Sequence, residues 1–189
     1  MKYAAGDAVV FGTCGATIVR AITRTESAGK TWTRVVLGFP FDSADPDEIL
    51  EILYDHDCLG LLSEALGSGG VPGVLAVLAS PLPDREPTSW GSVRETYATM
   101  IGEITADAYI EQMPAVLSAR EVAMVVRNLT ARQNGTARQY TREIEHWEAP
   151  MLNTARAVLV SEIALGAGID RAQAEAAIDE ALAVHRPPS

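Results

Sequence analysis

Long apolar runs are missing from this sequence. No stretch approaches the roughly 18 uninterrupted residues that cross a bilayer, and Val71–Ala79 falls far short, so no membrane partner is expected. Met1–Asp7 holds no apolar segment of the kind a secretory signal needs. Cysteine is scarce: Cys14 and Cys58 allow at most one disulfide, so the expected compartment is the reducing cytosol with both thiols free. Histidine is scarce too. His56, His146 and His185 are scattered, and no Cys or His pair has the spacing of a structural zinc site. The densest group of possible ligands, Asp55-His56-Asp57-Cys58, reads as a polar turn, so neither metal nor cofactor is expected. Gly67-Ser68-Gly69-Gly70 lacks the Gly-Lys-Ser/Thr ending of a phosphate loop and the frame of a nucleophile elbow. Nothing assembles a nucleophile, a base and an orienting group, which argues against an enzyme.

Lysine is the rarest of the common charges, limited to Lys2 and Lys30, so nearly every cation is a guanidinium. Across 189 residues, 15 basic side chains face 25 acidic ones, a formal net charge of −10. That balance excludes nucleic-acid binding by bulk attraction, because neutralising phosphates takes clustered cations. The distribution is uneven, however. Arg120, Arg127, Arg132, Arg138 and Arg142 face only Glu121 within one window. Arginine suits phosphate forks and carboxylate pairs better than a lysine point charge does. The plainer alternative is that these arginines pair with neighbouring helix carboxylates.

The chain changes character near residue 80. Before it, Asp7–Phe11, Ala16–Ile22 and Thr31–Phe39 are β-branched runs joined by tight links, with a hairpin loop over Glu26–Lys30 in which Gly29 supplies a positive φ. Ile49–Tyr54 fits a fourth strand or a helical turn equally well. Short strands without a long crossover helix imply a small antiparallel barrel or curled sheet of SH3 or Tudor type. Val71–Ala79 follows as a short helix with Pro72 in its first turn. Pro81–Pro87 is then a stiff linker. Beyond it the spacing is helical. Thr88 or Ser89 can cap a helix opening at Trp90, and Ser118 can cap one bearing Val122, Val125, Val126 and Leu129, which stops at Asn134-Gly135. Met151, Leu152, Ala155, Val158, Leu159, Glu162 and Ile163 form a stripe ending at Gly166–Gly168. Asp170 and Gln173 open a last helix as a capping-box variant. The expected fold class is α+β: a β module over 1–66, a short helix and Pro-rich linker over 67–87, and an all-helical domain over 88–189.

Trp90 stands directly after the linker, at the start of a helix, where small or acidic residues are usual. Such an indole either anchors the linker to its own bundle or stands exposed. A flat apolar side chain at a helix N-terminus can enter a minor groove and part a base step, and the helix amides beside it suit a phosphate.

Several pieces, taken in chain order, resemble the CarD/CdnL family of bacterial RNA polymerase-binding transcription regulators. They are Gly6–Phe11 with Gly15-Ala16, the strand ending Ala21-Ile22-Thr23-Arg24-Thr25, the linker Glu86-Pro87-Thr88-Ser89-Trp90, then Glu121–Leu129 and Ala155–Leu165. The resemblance implies a Tudor-like N-terminal domain that docks on the polymerase β subunit, with Arg24, Thr25 and Arg34 facing it. It also implies a helical domain that touches promoter DNA weakly through the minor groove, near the upstream edge of the melting region. The family's invading tryptophan falls on Trp90, with Arg94, Arg127 and Arg132 as the expected DNA-contacting cations. Wedging there favours the open promoter, a shift in an existing equilibrium rather than a chemical step.

This sequence departs from the family in ways that bear on function. Where the family places basic residues after the tryptophan, Gly91-Ser92-Val93-Arg94-Glu95 offers one cation and an acid. The family's polymerase-contacting arginine falls on Thr25, with Arg24 one residue away, and a one-residue shift on a strand reverses its face. A second such arginine is replaced within Glu48-Ile49-Leu50-Glu51, and the segments 103–117 and 138–149 are longer than the family norm. The departures mark a divergent paralogue. The alternative function is a protein–protein adaptor that kept the fold and lost DNA contact.

Overall fold

A computed structural model describes residues 2–40, 49–53, 62–82, 118–136 and 148–185. Strands β1 (Ala8–Phe11), β2 (Ala16–Ser27), β3 (Lys30–Gly38), β4 (Ile49–Leu53) and β5 (Leu62–Glu64) form one sheet in the order β4-β3-β2-β1-β5. Every neighbouring pair is antiparallel. The helical half holds α1 (Val71–Ala79), α2 (Ala119–Gln133), α3 (Glu148–Ala167) and α4 (Arg171–Ala181), closed by a 3-10 turn over Leu182–His185. The fold is α+β, as the sequence implies. No single helix among the described residues is long and apolar enough to cross a membrane.

The β2–β3 hairpin runs farther than its apolar residues do. The ladder continues from Ile22↔Val35 to Ser27↔Lys30, so Thr23–Ser27 are strand although the hydrophobic run stops at Ile22. Threonines 23, 25, 31 and 33 supply the β-branched side chains that favour a pleated, half-wet surface. Ala28 and Gly29 form the turn, with φ of 52° and 73°. Two positive φ values are what a two-residue hairpin turn requires, because their twist matches that of the strands. Ile49–Leu53 resolves as strand, not helix, by pairing with Arg34–Gly38. Nothing in Leu62-Ser63-Glu64 announced β5: three residues carry no readable period, and the strand exists because β1 offers it an open edge.

Each half has its own core. Tyr3, Val9, Val19, Val35, Leu37, Ile52 and Leu62 fill the sheet's inner face. In the helical half, Val74, Leu78, Val122, Val126, Leu129, Leu159, Ile163 and Ile178 belong to a single cluster. α1 is therefore a full member of the helical core, although it opens the stretch expected to link the modules. Its Val71, Val74 and Leu78 recur at three-four spacing and are all buried. Capping boxes start two helices, Ser118 with Glu121 on α2 and Asp170 with Gln173 on α4.

Candidate functional site

On the sheet, register decides which side chains can act together. Thr25 pairs with Trp32, and Thr23 with Arg34, so Thr23, Thr25, Trp32 and Arg34 share one face of the hairpin. Arg24 pairs with Thr33 and points to the opposite face. The structure thus brings Thr25 and Arg34 together and separates Arg24 from both. Arg34 also lies 3.6 Å from the Glu51 carboxylate on neighbouring β4, with both side chains about half exposed. A pair that wet contributes at most about 1 kcal/mol and holds Arg34 only loosely. Trp32 was not singled out from sequence, since an indole in an alternating strand reads as core. It is 39% exposed and stands beside Arg34 on the outer face. Ile49, on the edge strand β4, is 54% exposed. An aromatic, a guanidinium and an exposed aliphatic beside a strand that is a sheet edge among the described residues are the features that strand addition and protein docking use.

The arginine window of the helical half does not form one surface. Arg127 and Arg132 are both on α2 but five residues apart, roughly 140° around the helix. Arg127 is only 7% exposed. Its Nε donates to the Asn128 side-chain oxygen at 3.0 Å, and one terminal nitrogen donates to the Ser80 hydroxyl and to the Val77 carbonyl. The cation closes the C-terminal end of α1, where carbonyls lack intrahelical donors and the dipole is negative. In this arrangement the Arg127 guanidinium ties α2 to the end of α1. Charge counting missed that role because it cannot see Ser80 lying opposite. Arg132 is half-buried in the last turn of α2, and Arg120 is exposed in the first. Trp90, Arg94, Arg138 and Arg142 lie outside the described residues, as does the helix expected to open at Trp90.

The ends of α1, α2 and the final turn are laced together on the same side as Arg127. The Thr136 hydroxyl and the Asn134 side-chain amide donate to the His185 carbonyl at 2.9 and 3.3 Å, and His185 Nε2 lies 3.0 Å from the Leu78 carbonyl. His185 is therefore a buried structural histidine, in keeping with the lack of any metal grouping among the described residues.

Between the halves, α3 crosses the 3-10 turn Gly12–Cys14 and the start of β2. The Ala16 backbone N–H donates to the Ser161 hydroxyl at 2.8 Å, and that hydroxyl donates onward to the Val158 carbonyl at 2.7 Å. Glu162 follows on the buried face, 3% exposed, and its carboxylate accepts from the Leu66 backbone. Burial pushes its pKa up to about 7, and the Leu66 hydrogen bond opposes the rise only in part. The sequence places Glu162 on the apolar stripe of α3 but assigns it no task. A carboxylate at a core position of such a stripe is the one signal that would have exposed it.

Against this geometry, residues 115–179 match the family model described as CarD, C-terminal domain. The matched span begins just ahead of the Ser118 cap, takes in α2 and α3, and ends two residues before α4 does. Proteins of that family are regulators of transcription rather than enzymes. Helices α2, α3 and α4 pack as one core behind an N-terminal antiparallel sheet, and over residues 115–179 that helical half is similar to the CarD C-terminal domain.

Proposed function

We propose that this protein is a transcription regulator that binds the RNA polymerase β subunit through its β module and modulates promoter open-complex stability through minor-groove contacts of its helical half. The match over residues 115–179 carries the reading. On the polymerase side, support comes from the outer sheet face of Thr25, Trp32 and Arg34 beside β4, the edge strand among the described residues. The Thr25 position keeps its face but has no charge, and Arg34 supplies the cation two strand positions from Trp32. On the DNA side, the proposed wedge is Trp90, with Arg94 and Arg132 as phosphate contacts. Arg127 supports them from within by fixing α2 to α1. A wedge contributing about 1–2 kcal/mol shifts open-complex occupancy several-fold to more than tenfold.

A second reading, an adaptor that kept the fold and lost DNA contact, is favoured by the net charge of −10 and by the internal commitment of Arg127. Binding to forked promoter DNA across a salt series separates the two. The regulator gives log affinity falling linearly with log salt, because phosphate contacts release counterions; the adaptor gives no measurable affinity at any salt. On the regulator reading, Trp90→Ala shortens open-complex lifetime while leaving polymerase binding intact. Unchanged promoter kinetics in that variant would remove the wedge.

A further inference from the structure

We propose that the two turns of α3 carrying Ser161, Glu162 and Gly166 form a proton-sensitive latch that sets how firmly the β module is held against the helical half. The latch has three points. At the first, Gly15 is pressed so close to α3 that a Cβ there would meet the Ser161 hydroxyl at 2.4 Å, and the next residue's N–H is bonded to that same hydroxyl. At the third, a Cβ on Gly166 would meet the Leu66 carbonyl oxygen at 2.5 Å, so the β5–α1 connection lies directly on the helix backbone. The middle point is Glu162, buried between them and bonded to the Leu66 backbone. The outer two points are thus steric, the first of them hydrogen-bonded as well, and the middle one titrates.

A cleft of about 390 Å³ opens beside the carboxylate, lined by Glu64, Leu66, Ser118, Arg120 and Glu162. In this proposal the proton is exchanged by that route. Among the described residues, the charged groups around it are few. Glu64 at the end of β5 is exposed and lies 3.4 Å from Lys2, and Arg120 on α2 is exposed beside Gly73. Glu121 is bound to its own helix cap, and α1 carries no ionisable side chain. On β2, Arg20 lies over Gly38 on the sheet, and Cys14 of the 3-10 turn is exposed. Arg156 of α3 pairs with Asp179 of α4, and Arg171 pairs with Glu175 within α4. Exposed charges are screened by water and salt, so burial governs Glu162.

The direction follows from the cost of burying charge. Protonated Glu162 sits in the closed junction without penalty. Ionised, it is better solvated when the junction parts and water reaches it, so closure weakens as pH rises through about 7. Release parts the Gly15-Ala16 turn from Ser161 and lifts the β5–α1 connection, with Leu66, off the helical core against which it packs. The latch stands independently of the proposed function. Where the two halves hold different partners, it fixes the span between them.

Amide hydrogen exchange on the full chain tests the latch, with rates corrected for intrinsic pH dependence. The reporters are the Ala16 and Leu66 amides, and the controls are Val35 and Leu37 in the sheet core. Protection of the reporters is expected to lie below that of the controls and to fall about tenfold between about pH 6 and about pH 8, and Glu162→Gln removes the fall. Reporters that track the controls at every pH would overturn the latch, since only global unfolding would then be seen. So would reporters that ignore pH in the unaltered protein, a result that does not depend on how the variant folds. A Glu162 carboxyl resonance titrating in the ordinary carboxylate range would overturn it as well.

Discussion

The Ser161 hydroxyl of α3 accepts the Ala16 backbone N–H at 2.8 Å, a hydrogen bond that joins positions 145 residues apart and ties the sheet to the helices. It forms because the preceding residue has no side chain. Gly15 lies at φ 82°, ψ −157°, a region essentially reserved for glycine, and a Cβ there would run into that hydroxyl. Gly15→Ala is therefore expected to destabilise the protein by about 2–4 kcal/mol, from backbone strain and the clash together. Ser161→Ala leaves a buried N–H without its acceptor and is expected to cost about 1–3 kcal/mol. The double variant should cost less than the two singles added, because removing the hydroxyl makes room for the new methyl group. Urea unfolding of the four proteins measures the coupling, and strict additivity would contradict the close approach.

Arg127 and Arg132 should respond differently to loss of charge. Arg127→Met removes the donor that closes the end of α1 and is expected to cost about 2–3 kcal/mol. It should leave the salt slope of forked-DNA binding unchanged. Arg132→Ala should, on the regulator reading, reduce the salt slope by about one. Thermal unfolding paired with a salt titration reads both variants. A reduced slope for Arg127→Met would mean that this guanidinium leaves α1 to meet phosphate.

The hairpin turn offers a stabilising substitution. Ala28 adopts φ 52°, a left-handed conformation that costs a residue with a Cβ roughly 1 kcal/mol and that asparagine adopts more readily. Ala28→Asn gives the Asn-Gly pair that such turns prefer and is expected to add about 0.5–1 kcal/mol to stability. The residue is exposed at the tip of the hairpin, so no packing is lost. An unchanged or lowered urea midpoint would count against the turn geometry.

Legibility of the fold followed the length of the pattern. Helices α2, α3 and α4 were readable because their stripes run for three or more turns and their caps are explicit: Ser118 with Glu121, and Asp170 with Gln173. β5 was not readable, because three residues have no period and the strand depends on the free edge of β1. The second half of β2 was hidden for a related reason. Polar residues from Thr23 to Ser27 become strand only because β3 lies beside them. The site was harder still. Thr25 and Arg34 were named from resemblance, and their shared face emerged only from the register. Arg127 resembled its neighbours in charge, and its role came from Ser80 and Val77, 47 and 50 residues earlier in the chain. Glu162 was visible as a carboxylate on an apolar stripe, but its environment comes from Leu66 on a distant connection.

Global stability should carry the signature of that same carboxylate. Glu162 has a pKa of about 7 in the folded protein against an ordinary 4.5, so the folded state binds more protons than the unfolded state between those values. Stability therefore falls as pH rises across that window, the reverse of what a salt-bridged carboxylate gives. From about pH 5 to about pH 8 the loss attributable to this one group is about 2–3 kcal/mol. Glu162→Gln keeps an oxygen for the Leu66 N–H and has no charge to bury, so its stability should change less over the same range. The variant should also be the more stable of the two at about pH 8, where the unaltered side chain is mostly ionised. Urea unfolding at several pH values measures both curves. Parallel curves would place the Glu162 carboxylate in contact with water and remove burial as the cause of its shift.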